Sequence, residues 1–206
     1  MPVTVFLLVA LGAFGCAGSL PTTHYYTLVP PAEVDAMSFG SSDTDPDGDD
    51  VGLVVGVESF AVDPPYDQDR LVFRRGADSA EVGFYAYHRW ASPLGRMIAL
   101  AVAERLRGAP GVRSIEPAGS VGDYSARLGG RVLYVEEVDL SNGEQVRVGI
   151  AFELRDPDGE ILWTETAAAV ASGNAEDGGA VAQLIRSTVE EVLLQARTSL
   201  ATALSE

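Results

Sequence analysis

Residues 126–170, ARLGGRVLYVEEVDLSNGEQVRVGIAFELRDPDGEILWTETAAAV, decide the architecture. Val146, Val148, Ile150, Phe152 and Leu154 occupy alternate positions, with Arg147, Glu153 and Arg155 on the other set. A period of two places one set on a buried face and the other toward solvent, so 145–154 reads as a strand lying against a core. Upstream, Ser141-Asn142-Gly143 interrupts the pattern, and Asn-Gly accepts the positive φ of a tight hairpin. Downstream, Asp156-Pro157-Asp158-Gly159 makes a second turn. The spacing predicts an antiparallel meander of three strands, 126–140, 145–154 and 161–170, with the first bent or bulged at Gly129-Gly130. Adjacent residues on a strand face opposite sides, so Glu136 and Glu137 cannot share a proton, and they read as part of a solvated face.

Helices flank this meander. After it, Val181, Leu184, Ile185, Val189, Val192, Ala196 and Leu200 keep a 3.6-residue period over 179–204. Before it, Leu94, Met97, Ile98, Ala101, Val102 and Arg105 do the same, with Ser92 as N-cap, Pro93 in the first helical position, and Gly108 and Pro110 as the stop. Further strands fall at 24–29, 51–62, 70–75 and 81–90, and 112–117 is a short strand or an extended connection. In 81–90, Val82, Phe84, Ala86 and His88 share one face, and Gly83, Tyr85, Tyr87 and Arg89 the other. The order implies a single α/β domain, a mixed or antiparallel sheet with two main helices packed on it. Residues 31–50 form an acidic, small-residue loop. Its Asp43, Asp45, Asp47 and Gly48 imitate a calcium loop, but the position requiring a bidentate Glu is Val54.

The net charge of −16 excludes nucleic acid and polybasic docking on anionic lipid. All fourteen basic residues are arginine. The two histidines, His24 and His88, have no metal-ligand spacing, and no nucleophile elbow or phosphate loop is present, so the sequence predicts no cofactor, no metal and no catalytic residue. His88, beside Trp90, reads as a packed histidine. The chain is expected to be non-enzymatic.

Residues 3–15, VTVFLLVALGAFG, are apolar except Thr4, and as a helix would span roughly 20 Å, too short to cross a bilayer and suited to a secretory signal. Ala13 and Gly15 lie three and one residues before Cys16, the only cysteine. This resembles the bacterial lipoprotein signal, in which such a cysteine becomes the mature N-terminus and carries a thioether-linked diacylglycerol. On that reading 1–15 is the signal peptide, 16–22 a lipidated tether and 23–206 the folded domain, anchored through Cys16. Ala17, where an Asp would favour inner-membrane retention, leans toward the outer membrane.

Several short motifs then belong together. A Tyr25-Tyr26-x-Leu28 strand follows the tether. A Val-Gly-Val strand leads into Asp63-Pro64-Pro65-Tyr66 and Asp69-Arg70-x-Val72-x-Arg74, and Tyr87-x-x-Trp90-x-x-Pro93-Leu94 follows. Read with the tether, they resemble the ABC-type transport auxiliary lipoproteins, relatives of paraquat-inducible protein C. The resemblance implies a non-catalytic, lipid-anchored periplasmic subunit of a lipid transport system. Its expected partners are the membrane, through the N-terminal lipid, a mammalian-cell-entry domain protein, and further copies of itself. Tyr85, Tyr87, Trp90 and Arg70 are the candidate partner-binding residues, read either as a docking surface or as core and neutral aromatics. A free-standing outer-membrane lipoprotein with a ligand-binding or envelope-assembly role is the alternative.

Overall fold

The computed structural model describes residues 21–29, 52–117, 124–141, 143–173 and 177–205. Cys16, the signal segment 1–15, most of the tether and the acidic loop 31–50 lie outside the described residues. In chain order the elements are β1 (His24–Tyr26), β2 (Leu53–Val57), β3 (Ala61–Val62), β4 (Arg70–Arg75), β5 (Val82–Trp90), α1 (Leu94–Leu106), β6 (Val112–Pro117), β7 (Ala126–Leu140), β8 (Gly143–Arg155), β9 (Ile161–Gly173) and α2 (Gly178–Ala203).

The long β7 organises one mixed sheet. On one edge it pairs antiparallel with β8, which pairs antiparallel with β9, as the turn residues predict. On its other edge β2, β3 and β4 follow one another, all parallel to it. Beyond β4 lie β5 and β1, and beyond β2 lies β6. The alternation of β8 is realised: Val146, Val148, Ile150, Phe152 and Leu154 are all buried.

Both helices pack on the sheet and touch each other. Val181, Ile185, Val189, Val192, Ala196 and Leu200 of α2, and Leu94, Met97, Ile98, Ala101 and Val102 of α1, fill the core with the inward faces of β2, β7 and β8. Arg105 of α1 forms an ion pair with Glu190 of α2. Arg197 donates to the Arg105 and Gly108 carbonyls at 3.0 and 3.3 Å, satisfying acceptors that the end of α1 leaves free. The start of α1 differs from expectation: Pro93 itself is the cap position, no side chain caps the helix, and the Pro93 carbonyl accepts from Arg96 and Met97. In α2, Asp177 is the N-cap, its Oδ1 accepting from the Gly179 and Ala180 amides at 2.8 and 2.9 Å. Those amide bonds hold the Asp177 carboxyl below its ordinary pKa.

Three strand predictions are corrected. Residues 51–62 are two strands, because after Glu58, whose amide still bonds the Leu128 carbonyl of β7, the chain turns away to bring Phe60 into the core, where it meets Phe152 edge-on at 5.7 Å. Two glycines make room for it: a Cβ on Gly95 would lie 2.0 Å from the Phe60 carbonyl oxygen, and one on Gly130 would lie 2.1 Å from the Ala151 carbonyl oxygen and 2.7 Å from the Phe60 ring. The irregularity in β7 falls between Val132 and Tyr134 rather than at Gly129-Gly130. In β5 the alternation fails: Arg70 pairs with Arg89 while Val72 pairs with Phe84, so two steps along β4 match five along β5. The extra residues put Tyr85 and His88 in contact at 5.5 Å, where strict alternation separates them.

Candidate functional site

The residues singled out in the sequence fall on the wing formed by β1, β5 and β4. Cross-strand neighbours share a face, so Tyr25, Arg89 and Arg70 form a row across the three strands. Tyr87 precedes Arg89 by two positions and is 41% exposed, and Tyr25 is 64% exposed. Arg70 lies over the Phe84 ring at 4.9 Å, and Arg89 pairs with Asp69 at 2.6 Å. The wing thus presents tyrosine and preoriented arginine, the side-chain types that concentrate binding energy at protein interfaces.

The opposite face of the wing packs inward. His88 stacks between the rings of His24 and Tyr26 at 5.2 and 5.9 Å, and its Nδ1 is 2.7 Å from the Tyr26 hydroxyl. It sits against the start of α2, where a Cβ on Gly178 would lie 2.5 Å from its ring. His88 is therefore a packed histidine, as read from sequence. Trp90 is 4% exposed and belongs to the core. Its edge also lines a cleft of about 500 Å³ together with Tyr25, Phe60, Val62, Pro93 and Leu94, with Asp67 among the polar lining residues. The structure brings Tyr25, Tyr87 and Arg70 to the outer face, and gives Trp90 and Tyr85 to packing.

What fixes the wing to the rest of the sheet is a pair of buried carboxylates that the sequence reading placed on a solvated face. Glu136 and Glu137 are 0% and 3% exposed. Glu136 accepts from Tyr66 Oη at 2.8 Å, from Arg74 Nε and Nη2 at 3.2 Å each, and from Arg147 Nε at 2.6 Å. Four segments meet there: the loop before β4, β4, β7 and β8. Burial alone would raise the Glu136 pKa, but its bonds to Arg74, Tyr66 and Arg147 outweigh burial and hold it below the ordinary carboxylate value. Burial and the Glu136 bond push the Tyr66 phenol up to about 12. On the other side of β7, Glu137 accepts from Tyr85 Oη at 2.6 Å. Burial, with the Asp139 and Glu144 charges, raises the Glu137 pKa despite that bond.

These carboxylates have no catalytic geometry. Glu136 is saturated with donors, and the two side chains point to opposite faces, as expected from the strand. Among the described residues no group of three or more His, Cys, Asp or Glu is arranged to hold a metal ion. No described helix is long and apolar enough to cross a membrane. Sequence reasoning missed the carboxylate hub, although one signal was present. The hairpin register that sets Leu140 opposite Gly143 also sets Glu136 opposite Arg147.

A family model described as "ABC-type transport auxiliary lipoprotein component" matches residues 38–196. Among solved structures, a Xanthomonas campestris protein of the DUF330 family superposes with a TM-score of 0.63 at 16% identity, covering 76% of this chain and 89% of its own. An uncharacterized protein superposes with a TM-score of 0.64 at 13% identity, over 87% of this chain and 99% of its own. Both share the fold. No curated protein matches the chain.

Proposed function

The chain belongs to the family of ABC-type transport auxiliary lipoprotein components, and from that premise we propose that it is a lipid-anchored, non-catalytic docking subunit of a lipid transport system in the bacterial envelope. In this reading Cys16 carries the diacylglycerol and holds the domain on the periplasmic side, at the outer membrane. Two acyl chains at about 0.8 kcal/mol per buried methylene suffice for stable anchoring. The outer face of the wing, with Tyr25, Tyr87 and Arg70, receives a mammalian-cell-entry domain protein.

The observation that carries this reading is the family match over 38–196. The surface chemistry supports it: exposed tyrosines and a ring-stacked arginine sit on a wing locked by buried ion pairs, so little order has to be gained on docking. Co-purification tests it. The full chain, expressed with the permease, ATPase and mammalian-cell-entry protein of one transport system, is expected to retain the latter. Absence of enrichment over an unrelated lipoprotein would overturn the assignment.

A further inference from the structure

The cleft that Tyr25 and Trp90 line lies where residues 59–69 meet the connection from β5 to α1. Tyr25, Phe60, Val62, Trp90, Pro93 and Leu94 give it an apolar wall, and its volume of about 500 Å³ is on the scale of small-molecule sites. Three motifs singled out in the sequence meet in it. Tyr25 comes from the first, Asp69 from the second, and Trp90, Pro93 and Leu94 from the third. Hydrogen bonds fix its walls in advance. The Trp90 amide donates to the Asp69 carbonyl at 2.6 Å, the Ala91 amide to the Tyr26 carbonyl at 2.8 Å, and the Phe60 amide to the Gly95 carbonyl at 3.2 Å. The turn bearing Asp67 is held by Tyr66, whose hydroxyl reaches Glu136, and by the Gln68 amide, which donates to the Pro65 carbonyl at 2.7 Å.

The formal charges lining the cleft are all negative. None of the arginines or histidines lines it, and its carboxylates are Asp67 and Asp69. Asp69 is committed to Arg89 at 2.6 Å. Asp67 is exposed and has no hydrogen-bond or ion-pair partner among the described residues, which include every arginine and both histidines of the chain. A carboxylate beside an apolar wall selects a ligand with a cationic end and an apolar body. A neutral ligand of the same shape gains nothing from the charge of Asp67, and an anion is repelled both by it and by the net charge of −16. The exposed ring of Tyr25 adds attraction for a cation placed over its face. We propose that the cleft binds a small organic ammonium ion, taken up whole from solution. Its apolar body lies along Trp90 and Pro93 and its ammonium group meets Asp67. The inference does not rest on the transport reading, and its test needs no transport partner.

Calorimetry of the full chain in detergent, referenced to the same micelles without protein, tests it with three probes of one shape. These are phenethylammonium, phenethyl alcohol and phenylacetate. Phenethylammonium is expected to bind saturably, and more weakly as salt rises. The alcohol is expected to bind about threefold or more weaker, as befits loss of one ion pair near the surface, and phenylacetate not to bind. Asp67→Asn is expected to abolish the preference for ammonium over alcohol. Asp158→Asn removes the same charge from the exposed turn between β8 and β9 and is expected to leave that preference intact. The pair separates a local contact from the general attraction of an acidic protein for cations. Tyr25→Ala is expected to weaken binding of both the ammonium and the alcohol. No saturable binding, no preference for the ammonium, or a preference that survives Asp67→Asn overturns the proposal. Should Asp67→Asn fail to fold, Tyr25→Ala decides, and binding as tight as in wild type overturns the proposal.

Discussion

Glu136 and Glu137 are adjacent in sequence, yet they point to opposite faces of one sheet and are buried in opposite electrostatic surroundings. Glu136 is held by Arg74 and Arg147, with Tyr66 as third donor. Glu137 has the Tyr85 hydroxyl and, nearby, the charges of Asp139 and Glu144. One carboxylate is stabilised as an anion and the other is pushed toward its acid form. Both tie the β4–β5 wing to β7.

Glu136→Gln keeps the shape of the side chain and removes the charge that satisfies two arginines. Breaking a buried pair by removing one partner costs about 3–5 kcal/mol, and for a domain of this size the thermal midpoint is expected to fall by about 10 °C. The pH dependence has a defined sign. The folded-state pKa of Glu136 lies below its unfolded value, so its contribution is complete above the ordinary carboxylate pKa and is lost as pH falls through the folded value. Calorimetry of wild type and Glu136→Gln from neutral to acidic pH is expected to show two curves that converge at low pH.

Glu137→Gln is expected to do the reverse. The folded-state pKa of Glu137 is raised, so the native state binds its proton more tightly than the unfolded chain. That advantage is present below the unfolded pKa and is lost as pH rises through the folded value. Denaturant titrations at pH 4 to 8 are expected to give Glu137→Gln a flatter profile and a higher midpoint than wild type at neutral pH. A lower midpoint at every pH would mean that the anion is the stabilising form.

The parts of this fold legible in the sequence are those governed by local pattern. The period of β8 survives because one face of that strand lies on the core along its length, and the turn at Asp156 to Gly159 depends only on its own residues. The end of α1 was legible for the same reason, since Gly108 adopts φ +67°. What was not legible depends on distant chain. Glu136 is buried because Tyr66 and Arg74 arrive from 70 and 62 residues away. The break between β2 and β3 depends on Gly95 and Gly130 making space for Phe60. Tyr85 departs from its expected face because β5 carries extra residues against β4, which no single-strand period records. Of the candidate site, Tyr87 and Arg70 were found on the surface, and Trp90 was found inside.

Trp90 and Tyr87 therefore separate folding from docking. Trp90→Ala removes a core indole and is expected to cost about 3–5 kcal/mol, seen as a lower urea midpoint. Tyr87→Ala, at an exposed position away from buried partners, is expected to change stability by no more than about 0.5 kcal/mol and to reduce co-purification of the mammalian-cell-entry protein. Equal loss of stability in both variants would refute the division.

Cys16→Ser removes the proposed acceptor of the diacylglycerol. Fractionation of expressing cells is expected to find this variant soluble in the periplasm or retained as the unprocessed precursor, while wild type sediments with membranes. A Cys16→Ser protein that is normally cleaved and still membrane-bound would refute lipidation at that sulfur.

The most direct test of the account places a photo-activatable side chain at position 87 of the full chain, co-expressed with its transport system, and identifies what is captured. Docking through the wing predicts a cross-link to the mammalian-cell-entry protein from position 87 and none from position 158, in the exposed turn between β8 and β9. Equal capture from both positions, or none from 87 while the anchored protein is folded, would contradict it.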